Sequence, residues 1–110
     1  MRLYTWRVGD WASFGSAETR PDLSAARIGG TEVALARLPD GSWSAFDNDC
    51  PHEECPLAEG DLEENQLVCY CHGSTFDLRT GAVLVGPAEE PLTMFEVRVV
   101  EGDLQVLLER

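Results

Sequence analysis

Leu62-Glu63-Glu64-Asn65-Gln66-Leu67-Val68 lies between two short segments of another character, Cys50-Pro51-His52 before it and Cys69-Tyr70-Cys71-His72 after it. The middle stretch reads as a hairpin, with apolar residues on both sides of a Glu64-Asn65 pair that includes a residue able to take positive φ. A tight hairpin brings its two flanking segments to one end, so Cys50 and His52 come opposite Cys69 and His72. These segments contain both histidines of the chain, and Cys50 and Cys69 are half of its cysteines. The stretches around them, Asp47 to Asp61 and Cys71 to Arg79, break the strand rhythm and read as loops, where a backbone held by a rigid sheet remains free to meet a metal.

Outward from this centre the chain is a series of short runs rich in β-branched and aromatic residues, with little of helical period. Leu3 to Val8, Ala25 to Ile28, Glu32 to Leu38, Ser42 to Phe46, Gln66 to Cys69, Ala82 to Val85, Met94 to Val100 and Leu104 to Leu108 read as strands. Gly29-Gly30, Asp40-Gly41, Thr80-Gly81 and Glu101-Gly102 punctuate them as turns. Asp10 to Phe14 is the one place expected to form a helical turn, ended by Pro21 at the latest. The expected class is all-β, an antiparallel domain.

With 110 residues the chain is expected to form one domain, 1–110, whose site-bearing part spans about 47–88. No apolar run approaches the roughly 20 residues of a membrane span. The start, Met1 to Arg7, has no apolar signal-peptide core, so the expectation is a cytoplasmic protein with no membrane anchor. Twenty acidic residues against eight basic ones give a formal charge of −12, spread along the chain rather than gathered in a tail. A surface of this sign repels nucleic-acid phosphates and anionic lipid and is drawn to a basic docking face on a protein partner, although it also serves solubility alone.

Two thiolates and two imidazoles at this spacing favour a particular chemistry. Cys50 and His52, two apart on an irregular loop, chelate one iron with difficulty but reach two adjacent irons, and the same holds for Cys69 and His72. The natural solution puts both thiolates on one iron and both imidazoles on the other, a mixed-ligand 2Fe-2S centre. Two ferric ions, two sulfides and two thiolates sum to zero charge, so adding an electron is easier than in a four-thiolate cluster. Such centres lie at roughly −150 to +300 mV, against about −400 mV for the plant-type four-thiolate kind. A single tetrahedral zinc accepts the same four ligands and remains an alternative, though zinc pairs usually come as C-x2-C or H-x3-H.

At these residues the chain resembles the Rieske family. Cys50-Pro-His-Glu-Glu-Cys55-Pro-Leu-Ala-Glu-Gly60 is similar to the family's first cluster loop, and Cys69-Tyr-Cys71-His72-Gly73-Ser74-Thr-Phe76-Asp77 to its second. Asp77-Leu-Arg-Thr-Gly81 is similar to the turn after it, and Gly86-Pro87-Ala88 to the proline-containing loop that covers the cluster. The resemblance implies a Rieske-type antiparallel β-sandwich of small stacked sheets with a cluster-binding subdomain of two loops. It implies Cys50, His52, Cys69 and His72 as metal ligands, with the thiolates facing inward and the imidazoles at the exposed tip. Cys55 and Cys71 match the pair that forms a disulfide between the loops in some members, whereas two reduced thiols are the alternative in a reducing cytosol.

The resemblance also carries departures. Ser74 matches a serine whose hydroxyl donates to a bridging sulfide, but Phe76 stands where high-potential members have a tyrosine that donates to a cysteine sulfur. An intermediate potential is expected, because one of two strong donors is missing. Glu53 and Glu54 come directly after a ligand, and the second stands where glycine is common; negative charge there opposes reduction. Electron and proton transfer are coupled at the two histidines, since ferric iron lowers the pKa of the outer ring nitrogen.

Catalysis on an organic substrate has no candidate residues. An oxygenase needs a further iron site, usually two histidines and a carboxylate, and no histidine is left. No glycine fingerprint for a flavin or nicotinamide is present. The expected function is a monomeric electron-transfer protein, not an enzyme: a soluble Rieske-type ferredoxin between a flavoprotein reductase and a terminal oxygenase or similar acceptor. The alternatives are a small subunit of a nitrite reductase-like complex and a redox-sensing interaction module whose cluster or Cys55–Cys71 pair alters binding.

Overall fold

A computed structural model describes residues 10–28, 30–49, 55–71, 73–86 and 88–108. The expected strand Leu3 to Val8 lies outside them. Among the described residues ten strands run in chain order: β1 Asp10–Ser16, β2 Leu23–Ile28, β3 Thr31–Arg37, β4 Trp43–Asp47, β5 Asp61–Glu63, β6 Gln66–Val68, β7 Thr75–Asp77, β8 Val83–Val85, β9 Met94–Val100 and β10 Asp103–Leu108. The one helical element among the described residues is a single 3₁₀ turn, Leu57–Glu59. All neighbours pair antiparallel, in a six-stranded sheet ordered β1-β10-β9-β4-β3-β2 and a four-stranded sheet ordered β5-β6-β7-β8.

β1 corrects the expectation of a helical turn at Asp10 to Phe14. Ala12 and Phe14 are buried while Ser13 and Gly15 are exposed, a period of two that suits a strand, and Ala12 pairs with Val106 of β10. β7 corrects a second expectation, because Thr75–Asp77 falls within the stretch read as irregular loop. Its single apolar residue, Phe76, is fully buried between Leu67 of β6 and Val83 of β8. One large residue on the inner face is enough for a strand when partners already stand on both sides.

β3 is what joins the two halves. Val33, Ala34, Leu35 and Ala36 are all fully buried, so both faces of this strand are covered. Val33 and Leu35 face a core with Phe14, Ala45, Leu104 and Val106. Ala34 and Ala36 face another, with Phe46, Leu57, Leu67, Phe76, Leu78 and the cysteines Cys55 and Cys69. Small side chains on the second face let the four-stranded sheet approach closely, and burial of each Phe or Leu there contributes roughly 1.5–3 kcal/mol. The Ser44 hydroxyl, itself buried, donates to the Leu78 carbonyl at 2.7 Å and ties β4 to the turn after β7.

That turn depends on one glycine. Gly81 takes φ +85, and a Cβ there would stand 2.9 Å from Met94 Cγ and 3.0 Å from the Leu92 carbonyl oxygen. Its own N–H donates to the Asp77 carbonyl, and its carbonyl accepts from Leu92 N–H at 2.8 Å. The β5–β6 hairpin turns at Glu64-Asn65, where positive φ falls on Glu64 (φ 56) rather than on the asparagine. Asn65 instead offers its carbonyl to Leu78 N–H at 2.8 Å.

Candidate metal centre

The site is built from two chain reversals at one end of the four-stranded sheet. The first leaves β4 after Asp47 and is closed at its base by Asn48, a buried residue. Asn48 N–H donates to the Glu32 carbonyl at 3.0 Å, and its carbonyl accepts from Leu57 N–H at 2.7 Å. Its side-chain oxygen accepts from Ala58 N–H at 2.8 Å, and its amide nitrogen donates to Glu32 Oε1 at 3.2 Å. An isolated β-bridge between Asp49 and Pro56 completes the neck. Asn48 and Asp49 are thereby tied to the Pro56–Ala58 stretch.

The second reversal comes after β6. Cys69 N–H donates to the Ser74 carbonyl at 2.8 Å and Gly73 N–H to the Cys69 carbonyl at 2.9 Å, with Gly73 at φ +80. The two reversals touch at Gly60, where an added Cβ would collide with the Val68 carbonyl oxygen, one residue before Cys69. Only a residue without a side chain permits that approach. A disulfide between Cys55 and Cys71, with Cα atoms 6.6 Å apart, links them covalently.

Of the residues expected to form the site, Cys50, His52, His72 and Pro87 lie outside the described residues, as do Glu53 and Glu54. Cys69 is buried at 2% exposure, and its sulfur lies within 4.8 Å of those of Cys55 and Cys71. Cys55 and Cys71 are joined to each other, and Cys69 is the cysteine of that trio outside the disulfide. Ser74, buried at 1%, accepts a hydrogen bond from Ala88 N–H at 3.0 Å. This bond fastens Ala88 to the second reversal. It also uses a lone pair of the hydroxyl, leaving its proton for another acceptor. A buried soft donor beside a buried hydroxyl with a proton to give fits a sulfur-bridged iron centre.

Phe76 shares a core with Cys69 and brings no polar atom to it. Asn48 and Gly60 are site residues to which the sequence pattern alone assigned no role. Asn48 acts through partners at Glu32 and Ala58, distant in sequence, and only the adjacent Asp47-Asn48-Asp49 run hinted at a turn. Gly60 carried the signal of a lone glycine just before a strand pattern, which marks close backbone approach.

The model of the Rieske [2Fe-2S] domain matches residues 12–96. The anthranilate 1,2-dioxygenase ferredoxin subunit of Burkholderia cepacia is 32% identical over 101 residues, 90% of this chain and 93% of that protein. The 3-phenylpropionate/cinnamic acid dioxygenase ferredoxin subunit of Photorhabdus laumondii is 37% identical over 93 residues, 83% of this chain and 88% of that one. Among solved structures, a chain of the complex of reduced oxygenase and oxidized ferredoxin in carbazole 1,9a-dioxygenase superposes with a TM-score of 0.78 at 30% identity. It covers 86% of this chain and 99% of that chain.

Proposed function

Because this chain belongs to the Rieske [2Fe-2S] domain family and is a ferredoxin-type electron carrier rather than an enzyme, we propose which of its residues hold the centre and whom it serves. Cys50 and Cys69 bind one iron and His52 and His72 the other. A 2Fe-2S cluster so held supplies a one-electron couple at a potential raised by its two neutral ligands. Cys69 sits on the buried side, where the protein core excludes water, and the Ser74 hydroxyl would be the hydrogen-bond donor to a cluster sulfur. Asn48, Gly60 and the Cys55–Cys71 bond hold the two ligand-bearing segments at fixed separation, so little rearrangement accompanies a change of charge. The cluster-bearing part is about 47–88 within a single domain.

The electron comes from a flavoprotein reductase and goes to a terminal oxygenase, a route that the roles of the dioxygenase ferredoxin relatives support, and the partner's docking face is basic. The protein acts as a monomer in the cytoplasm; no helix among the described residues is long and apolar enough to cross a membrane. The observation that carries this reading is the buried Cys69 thiol in the turn closed by Ser74, beside the disulfide that pins the opposite segment. Two irons and two labile sulfides per chain, with the EPR spectrum of a mixed nitrogen and sulfur ligand set, are the expected result on purified protein. A single zinc per chain would overturn it. His52→Cys should shift the spectrum toward that of a four-thiolate cluster or abolish loading, whereas an unchanged spectrum would remove His52 from the ligand set.

A further inference from the structure

The charge of the chain is divided unevenly. From Asp47 to Glu90 there are eleven acidic residues and one basic residue, Arg79, whereas the rest has nine acids and seven bases. Nearly all of the net charge of −12 thus belongs to the half that carries the site. In the same half three large apolar side chains stand open to solvent: Tyr70 at 54%, Leu84 at 47% and Val85 at 55% exposure. The strand register brings their segments to one end of the four-stranded sheet. Tyr70 lies in the turn that the Cys69–Ser74 bond closes, Val85 pairs with Thr75 next to Ser74, and Leu84 is left over by the register shift between Thr75 and Phe76. Among the described residues β8 is the edge of its sheet, with no further strand beside it. The bond from Ala88 N–H to the Ser74 hydroxyl brings the exposed acids Glu89 and Glu90 to the same end.

We infer that Tyr70, Leu84 and Val85 form the apolar centre, and Glu89 and Glu90 part of the acidic rim, of the face on which a redox protein docks whose own cofactor edge is apolar and ringed by Lys or Arg. The inference rests on the electron-carrier reading and gives it an address. An apolar centre with a charged rim is the build of a transient protein interface, and tyrosine is among the residues that carry most of the binding energy in such faces. Electron-transfer encounters are at the small end of interface sizes, so three side chains at the centre suffice. The two parts divide the work: rim charges set the rate of encounter and its salt dependence, and the apolar centre sets how long the partners stay together.

The probe is ferric cytochrome c, a small protein with lysines around an exposed haem edge, mixed in stopped flow with the reduced, cluster-loaded protein. For wild type, the second-order rate should fall about tenfold or more from low to physiological ionic strength. Tyr70→Ser and Leu84→Ser should each lower the rate at fixed salt about fivefold or more. Their EPR spectrum and reduction potential should stay at wild-type values, and Val99→Ser, exposed outside this region, should transfer electrons at the wild-type rate. Glu89→Gln with Glu90→Gln should flatten the salt dependence and leave the rate at high salt unchanged. Wild-type rates for Tyr70→Ser and Leu84→Ser, or a rate indifferent to salt, would overturn the docking face while leaving the carrier intact. A wild-type protein that holds its cluster but never reduces the cytochrome would overturn both. Self-association abolished by Leu84→Ser would assign the face to a second copy and so overturn it as well.

Discussion

Removal of the Cys55–Cys71 bond tests how the site is held. The two cysteines are 16 residues apart, and closing a loop of that length takes roughly 10 cal/mol/K of entropy out of the unfolded chain, or about 3 kcal/mol at 25 °C. For 110 residues an unfolding entropy of about 2.1 cal/mol/K per residue gives ~0.23 kcal/mol/K, so losing the bond lowers the thermal midpoint by about 13 °C. The informative experiment is a cycle: Cys55→Ala, Cys71→Ala and the double variant, each cluster-loaded and melted under argon with far-UV circular dichroism as the readout. Since either single change breaks the same bond, the three midpoints should agree to within the few degrees that correspond to ~0.5 kcal/mol. A strong reductant should bring the wild type down to the same value. Two single variants whose effects add, or a double variant within about 4 °C of wild type, would refute the claim that the bond restrains these loops.

Particular contacts lead to further outcomes. Phe76→Tyr adds a donor to the core that contains Cys69; a hydrogen bond worth about 1–1.5 kcal/mol more in the reduced state raises the potential by roughly 40–60 mV, and potentiometry with no rise would reject the tuning role of this position. Asn48→Ala leaves Ala58 N–H without its side-chain acceptor and Glu32 without a donor, so denaturant melts should show about 1–3 kcal/mol less stability and the cluster's visible absorbance should bleach faster on dilution. Asp103 has its carboxyl held below the ordinary carboxylate range by hydrogen bonds from Gln105 and then Ser13. A carboxylate of depressed pKa stabilises the fold above its unfolded pKa and loses that contribution as pH falls through the folded one. Stability should therefore decline between about pH 5 and 2 less steeply in Asp103→Asn than in wild type, as read by denaturant midpoints at each pH.

The sequence carried the strand plan wherever turns were explicit. Met94–Val100 appears with the bounds that its run of β-branched residues suggested, and Gln66 to Val68 forms one arm of the hairpin that organises the site. It failed where the decisive contact was distant. Asp10–Ser16 has only two inward apolar residues, and nothing local shows that β10 lies beside it. Thr75–Asp77 offers one apolar residue and becomes a strand because β6 and β8 flank it. The expected ligand set rests on residue types at a spacing, and of it the structure describes Cys69, buried where the two reversals meet. The grip of Asn48 on Glu32 and Ala58 was not legible, since hydrogen-bond partners far apart in sequence leave no periodic trace.

Placement of Cys69 unites these observations. The chain reverses immediately after it, on the Cys69–Ser74 and Gly73–Cys69 bonds, while Cys69 itself belongs to the core that contains Ala34, Ala36 and Phe76. Exposed Tyr70 is the next residue. Burial and exposure thus alternate within two positions, which sets a water-excluded sulfur next to an accessible side chain. A carrier needs both: the core fixes the potential, and the surface admits a partner close enough to take the electron. A loop of ordinary flexibility would blur that alternation, and the glycine contact at Gly60, the Asn48 neck and the Cys55–Cys71 bond are the restraints that keep it sharp.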